Sequence, residues 1–210
     1  MAENNNKIIT IILVLLISLA ALTILYVNLP QESTKENNNT EEEGDEQTDD
    51  EVYFTVYYDD EQTEYTLDDL ESMDTITGLG GYRTSYPMIK GQAMYTGVPI
   101  TKLVELSAGD ITNYSIIVYS DEEGEIDSIT YEFNETQGII DIYNSTNASD
   151  ETPISTGGVT MILCYEKDGE YLDETSDGKL KIAFVNEDEE LITKSGLWWK
   201  FVYSIEIIEE

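Results

Sequence analysis

The chain has no histidine, one cysteine and one arginine among its 210 residues. Without histidine there is no Ser-His-Asp or Cys-His arrangement, no His-ligated zinc and no imidazole general base. With Cys164 alone there is no intrachain disulfide, so pairing says nothing about redox compartment. No CxxC, P-loop or GxGxxG pattern occurs. Basic residues are scarce as well: 10 Lys+Arg stand against 44 Asp+Glu, a formal charge of −34. Phosphate binding needs clustered Lys and Arg, so a nucleic-acid partner is excluded. The negative charge reads as solubility and mutual repulsion at a cell surface. Any catalysis is left to carboxylates, tyrosines, lysines or a cofactor.

One long hydrophobic run is present. After MAENNNK, residues Ile8 to Val27 are uncharged and almost wholly apolar. About 20 such residues at ~1.5 Å each span the ~30 Å hydrocarbon core of a bilayer. A cleaved secretory signal has a shorter apolar centre and an A-x-A-like site, whereas this run leads into NLPQES. The pattern therefore predicts a cytoplasmic tail over 1–7 and an uncleaved transmembrane anchor over 8–27. The orientation signal rests on Lys7. Residues 28–50 are polar and acidic, too poor in apolar side chains to offset the entropy of ordering, and predict a disordered stalk. Residues 51–210 suit one domain with one core. The localisation expected is a single-pass cell-membrane protein with its C-terminal domain extracytoplasmic. Sequons begin at Asn38, Asn113, Asn134, Asn144 and Asn147, which matter only in a glycosylating compartment.

Within the domain, EVYFTVYY (51–58) and TEYTL read as paired strands. Thr66 is an expected N-cap with Asp69 in a capping-box position, ahead of a face of Leu67, Leu70 and Met73. The glycine-rich stretch 77–97 lacks periodicity and reads as a long loop of the kind that carries function. VPITKLVELSAG reads as a helix burying Ile100, Leu103, Val104 and Leu106, with Gly109 as its stop. YSIIVYS and IDSITYEF make a hairpin, and a short helix capped by Asn134 follows. KLKIAFV (179–185) reads as an alternating strand. The terminal strand places Trp199, Phe201, Tyr203, Ile205 and Ile207 on one face, opposite Lys200, Ser204 and Glu206. Strands outnumber helices without βαβ alternation, which points to a β-rich α+β domain. Cys164, inside the apolar run VTMILCY, reads as a small buried hydrophobe. The acidic turns DEEGE and TSDGK lack the ligand order of a calcium loop and read as solvated charge.

Taken in order, EYTLDDLESM, YTGVPITKLVEL, YSIIVYSDEEGEIDSITYEF, MILCYEKDGEYL with GKLKIAFV, and WWKFVYSIEI resemble the oxidoreductase molybdopterin-binding domain, the sulfite oxidase fold. The resemblance covers residues 52–208; YTGVPITKL and CYEKDGEYL carry it best. It implies mixed sheets with a few short helices. In enzymes of this family a cysteine thiolate upstream of the helix opening at GVP holds molybdenum, as suits a soft centre. The corresponding stretch here, GGYRTSYPMIKGQAMY (80–95), has no cysteine, and Cys164 falls in the later strand. The histidine and multiple arginine contacts that such enzymes make to the pterin are absent, apart from Arg83.

Two readings follow from that resemblance. In the first, a small membrane-anchored member has lost metal ligation and serves as a non-catalytic binding or structural domain, with no catalytic or metal residues and no cofactor. Its groove, lined by the 77–97 loop, has Arg83, Tyr86, Lys90 and Tyr95 as candidate binding residues. Arg83 and Lys90 suit a small anion or anionic glycan, and an adhesin-like role through tyrosines adds a surface protein as partner. In the second, the domain is an extracytoplasmic oxygen-atom-transfer oxidoreductase, or its subunit, that binds molybdopterin through another ligand.

Overall fold

The computed structural model describes residues 51–210; the expected tail, anchor and stalk lie outside the described residues. Among the described residues no helix is long and apolar enough to cross a membrane. Strand β1 (Phe54–Tyr58) turns into β2 (Glu61–Tyr65), and helix α1 (Leu67–Ser72) follows. Then come β3 (Ile76–Arg83), β4 (Ile89–Pro99) and helix α2 (Ile100–Ala108). The middle of the domain holds the hairpin β5 (Tyr114–Glu122) and β6 (Glu125–Tyr131), helix α3 (Phe133–Thr136), β7 (Asp141–Ile142) and β8 (Ser155–Thr156). The last third contains β9 (Thr160–Lys167), β10 (Glu170–Tyr171), β11 (Lys181–Val185), β12 (Leu191–Lys194), a 3₁₀ turn (Ser195–Leu197) and β13 (Val202–Glu209).

Two principal sheets result. The first has strand order β2-β1-β13-β5-β6, with β1 and β13 parallel and the other pairs antiparallel. Phe54, Val56, Ile116, Val118, Ile205 and Ile207 fill its inner face, all nearly inaccessible, as period-two alternation requires. The second runs β10-β9-β4-β3-β12, with β11 also on β9 and β12 parallel to β3. Helix α2 touches β1, β4 and β9, and buries Ile100, Leu103 and Val104. Leu106 points away from that face and is exposed.

Residues 77–97 are not the irregular loop that their composition predicts. They form the hairpin β3–β4, paired from Ile76↔Gly97 to Arg83↔Ile89 with a register shift between Gly80 and Tyr82. The glycines serve backbone approach instead of turning. The second sheet curls until Leu79 of β3 exchanges both backbone hydrogen bonds with Asn186, just past β11, at 2.8 and 3.0 Å. A β-carbon on Gly78 would stand 2.7 Å from the Asn186 carbonyl oxygen, and one on Gly80 would stand 2.5 Å from that of Phe184. Only glycine lets the two backbones cross so closely. This crossing covers β11, so all five of its residues are buried, in place of the half-exposed alternation expected for KLKIAFV.

Local signals elsewhere follow short-range chemistry. The Thr66 side chain accepts from the Asp69 amide while the Asp69 carboxylate accepts from the Thr66 amide, the expected capping box. Asn134 is not the cap of α3: Glu132 holds that place, in a reciprocal box with Glu135, and Asn134 lies one residue inside the helix. In the terminal strand the register shifts between Val202↔Ser120 and Ser204↔Tyr119. This bulge inserts Tyr203 as an extra residue. Val202 takes the core position expected of Tyr203, and Tyr203 goes to the outer face, 38% exposed.

Replacing Gly80 with alanine is expected to lower the stability of the domain by about 2–3 kcal/mol, as overpacking against an immovable carbonyl. Gly196→Ala, where a β-carbon meets nothing within 4 Å, should change it by less than ~0.5 kcal/mol. Urea unfolding midpoints of the two variants check the contrast.

Candidate functional site

The β3–β4 hairpin distributes its four candidate residues among three environments. Tyr95 lies in the core at 1% exposure, its hydroxyl donating to the Gly91 carbonyl at 2.6 Å and its ring edge-on to Trp198 at 5.2 Å. Burial raises its phenol well above the ordinary value. Tyr82, from the facing strand, also meets Trp198, at 5.3 Å. Side chains therefore fill the space between hairpin and Trp198. Arg83 is engaged internally: Nε donates to the Ala148 carbonyl at 2.8 Å, Nη2 donates to Glu151 at 2.9 Å, and the guanidinium lies 5.8 Å from the Tyr143 ring centroid. It ties the segment between β7 and β8 to the end of β3. Tyr86 stands at the hairpin tip, 77% exposed, and Lys90 is exposed opposite Tyr82 in the ladder. The structure thus brings Tyr95 to an aromatic cluster, Arg83 to a loop clamp, and only Tyr86 and Lys90 to solvent.

Behind the hairpin lies a buried polar network that sequence reading did not single out. Lys181, on β11, is 3% exposed and donates to Asp177 at 2.8 Å. Its ammonium lies 5.6 Å from the Tyr95 ring centroid and 5.5 Å from that of Trp198. Lys200 reaches the same Asp177 oxygen at 3.2 Å. Burial pushes the Lys181 pKa down and Asp177 opposes it; the net direction is downward. For Asp177, burial pushes upward, but hydrogen bonds and charge from Lys181 and Lys200 outweigh it, and the carboxyl lies below its ordinary value. The alternation of KLKIAFV was the one available signal: it puts Lys179, Lys181 and Ala183 on a common face. Nothing local shows that this face is covered.

Cys164 pairs with Lys181 across β9 and β11 and is fully inaccessible. Its thiol donates to the Glu166 carbonyl at 3.1 Å. Gly97 on β4 pairs with it from the other neighbouring strand, so close that a β-carbon there would stand 2.7 Å from the Cys164 Cα. Burial is the main influence on the thiol, partly countered by Lys181, and its pKa is pushed up to about 12. A buried neutral thiol with its proton engaged in its own strand is packing, as the sequence indicates.

These residues do not fit a molybdenum–pterin group. The only thiol in the chain is sealed in a strand, Arg83 is held by Glu151 and Ala148, and among the described residues no three Cys, Asp or Glu side chains converge as metal ligands. No chemical step is derived through such a group.

The described domain is β-rich α+β, with mixed sheets and few short helices. Among solved structures it is similar to the sulfane dehydrogenase SoxCD from Paracoccus pantotrophus, at a TM-score of 0.52 and 11% identity. The match covers 77% of this chain and 39% of that one, so this chain spans about two-fifths of the length of its structural neighbour. Likeness at that identity is likeness of fold. No family model matches the chain, and no curated protein matches it in sequence.

Two outcomes follow. Iodoacetamide should leave native Cys164 unmodified at pH 8 and label it only after unfolding, read by mass spectrometry. Because the folded thiol titrates near 12 and the unfolded one near 9, the unfolded chain loses its proton first, so stability should fall as pH rises between those values. Separately, Asp177→Asn leaves Lys181 charged and poorly paired, which should cost about 3 kcal/mol. Lys181→Met keeps the volume and leaves Asp177 with Lys200, and should cost under ~1.5 kcal/mol. Denaturation curves compare them.

Proposed function

We propose that the chain is a membrane-anchored extracytoplasmic protein whose sulfite-oxidase-like domain is a non-catalytic binding or structural module. The observation that supports this most is the sealing of Cys164, the only thiol, at 0% exposure between its ladder neighbours Gly97 and Lys181. Molybdenum of this family needs a thiolate at an accessible site, and a thiol held near pKa 12 inside a strand supplies none. The filled hairpin adds to this support, since Tyr82, Tyr95 and Trp198 occupy the space where a groove was expected. Anchoring rests on the apolar run from Ile8 to Val27 and display outside the cell on Lys7 and the acidic stalk. The surface offered to a partner protein or glycan is acidic, with Tyr86 and Lys90 as its exposed hairpin residues.

The rival reading, a molybdopterin-dependent oxidoreductase or its subunit, takes its support from the likeness to a sulfane dehydrogenase. It requires a non-cysteine ligand or a ligand from another chain. Purification of the full chain from membranes of molybdenum-replete cells separates the two. The module reading expects recovery in the membrane fraction with neither stoichiometric molybdenum by elemental analysis nor pterin fluorescence. Both in equimolar amount overturn it.

A further inference from the structure

The outer face of the β2-β1-β13-β5-β6 sheet has a depression of about 330 Å³ lined by Tyr57, Asp59, Tyr119, Tyr203, Ser204 and Glu206. Its walls follow from register. Tyr57 on β1 sits beside Glu206 on β13, and Tyr119 on β5 sits beside Ser204 on β13. Ile205 and Ile207 face the core, so Ser204 and Glu206 face outward between the two tyrosines. The bulge adds Tyr203 to the same face, next to Ser204, which is left 1% exposed as a small floor. Bulges re-aim side chains in this way beside functional sites. Tyr57 and Tyr119 stand two strands apart and two residues out of step, which separates their Cα atoms by about 12 Å. An aromatic face attracts a cation that lies within ~6 Å of its ring centroid.

The charge of the depression is of one sign. Asp59 and Glu206 line it, and its lining has no basic side chain, on a chain of net charge −34. The Tyr119 hydroxyl donates to Glu206 at 2.7 Å, which fixes ring and carboxylate together. Anions are repelled here. Aromatic walls with only two carboxylates suit a weakly hydrated cation that has no N–H groups to satisfy. We infer that this tyrosine-walled depression binds a small quaternary ammonium compound, its methyl groups against Tyr57, Tyr119 and Tyr203 and its charge facing Asp59 and Glu206. The inference is independent of the module reading, since molybdenum content and ammonium binding are measured separately.

The test titrates the full chain with choline chloride, with tetramethylammonium chloride and with 3,3-dimethylbutan-1-ol, the uncharged shape-mimic of choline, by calorimetry. Saturable binding of the two cations, weakened by added salt and at least ten-fold poorer for the alcohol, is expected. Tyr57→Ala and Tyr203→Ala should each weaken choline binding by about 2- to 10-fold, and Glu206→Gln by a similar factor. Tyr57 and Tyr203 are 39% and 38% exposed, so both variants should fold; Tyr203→Leu, which keeps bulk without the ring face, should weaken binding likewise. Phosphatidylcholine vesicles titrated beside choline distinguish a lipid headgroup from a free solute, and binding of either supports the site. Equal binding of alcohol and cation, tyrosine variants with unchanged affinity, or no saturable binding of any cation overturns it.

Discussion

The second sheet closes on itself through one backbone contact, where Leu79 and Asn186 exchange their hydrogen bonds across β3 and the end of β11. Much else depends on that crossing. It requires glycine at positions 78 and 80, because any β-carbon there meets a carbonyl oxygen. It covers β11 on its second face, which turns Lys181 from a surface residue into an interior one. An interior ammonium needs a partner, and Asp177 supplies it from the turn ahead of β11. The same β11 pairs with β9 at Cys164. The one thiol thus lies in a strand flanked on both sides, by β4 at Gly97 and by β11 at Lys181.

The same part of the molecule packs aromatic side chains against the β3–β4 hairpin. Tyr82 and Tyr95 converge on Trp198 from neighbouring strands, and Trp198 donates its indole hydrogen to Thr193 at 2.7 Å. An aromatic cluster with its polar atoms satisfied is a stable way to fill a volume. Arg83 sits at the rim of this cluster and stabilises the segment between β7 and β8 instead of facing a ligand.

Features whose causes lie within a few residues were legible in the sequence: the Thr66–Asp69 capping box, the β5–β6 hairpin, the apolar face of α2 at Ile100, Leu103 and Val104, and the burial of Cys164. Features caused by distant partners were not. Gly78 and Gly80 read as loop punctuation, because nothing near them reveals that Asn186 and Phe184 lie opposite. Tyr203 read as a core residue, because strict alternation leaves no place for a bulge set by its pairing with Ser120 and Tyr119. Of the candidate binding residues, sequence alone did not distinguish Tyr95, which is core, from Tyr86, which is solvent-exposed. Lys181 went unnoticed because its burial depends on the same long-range crossing.

The order of the first sheet has one more consequence. Its two outermost strands are β2 and β6, and each has open backbone groups that a neighbouring molecule's strand is able to extend. Glu61, Glu64, Glu125 and Asp127 stud those borders, all exposed. Two copies meeting border to border would press carboxylate against carboxylate, so the negative charge also acts as a guard against amyloid-like stacking.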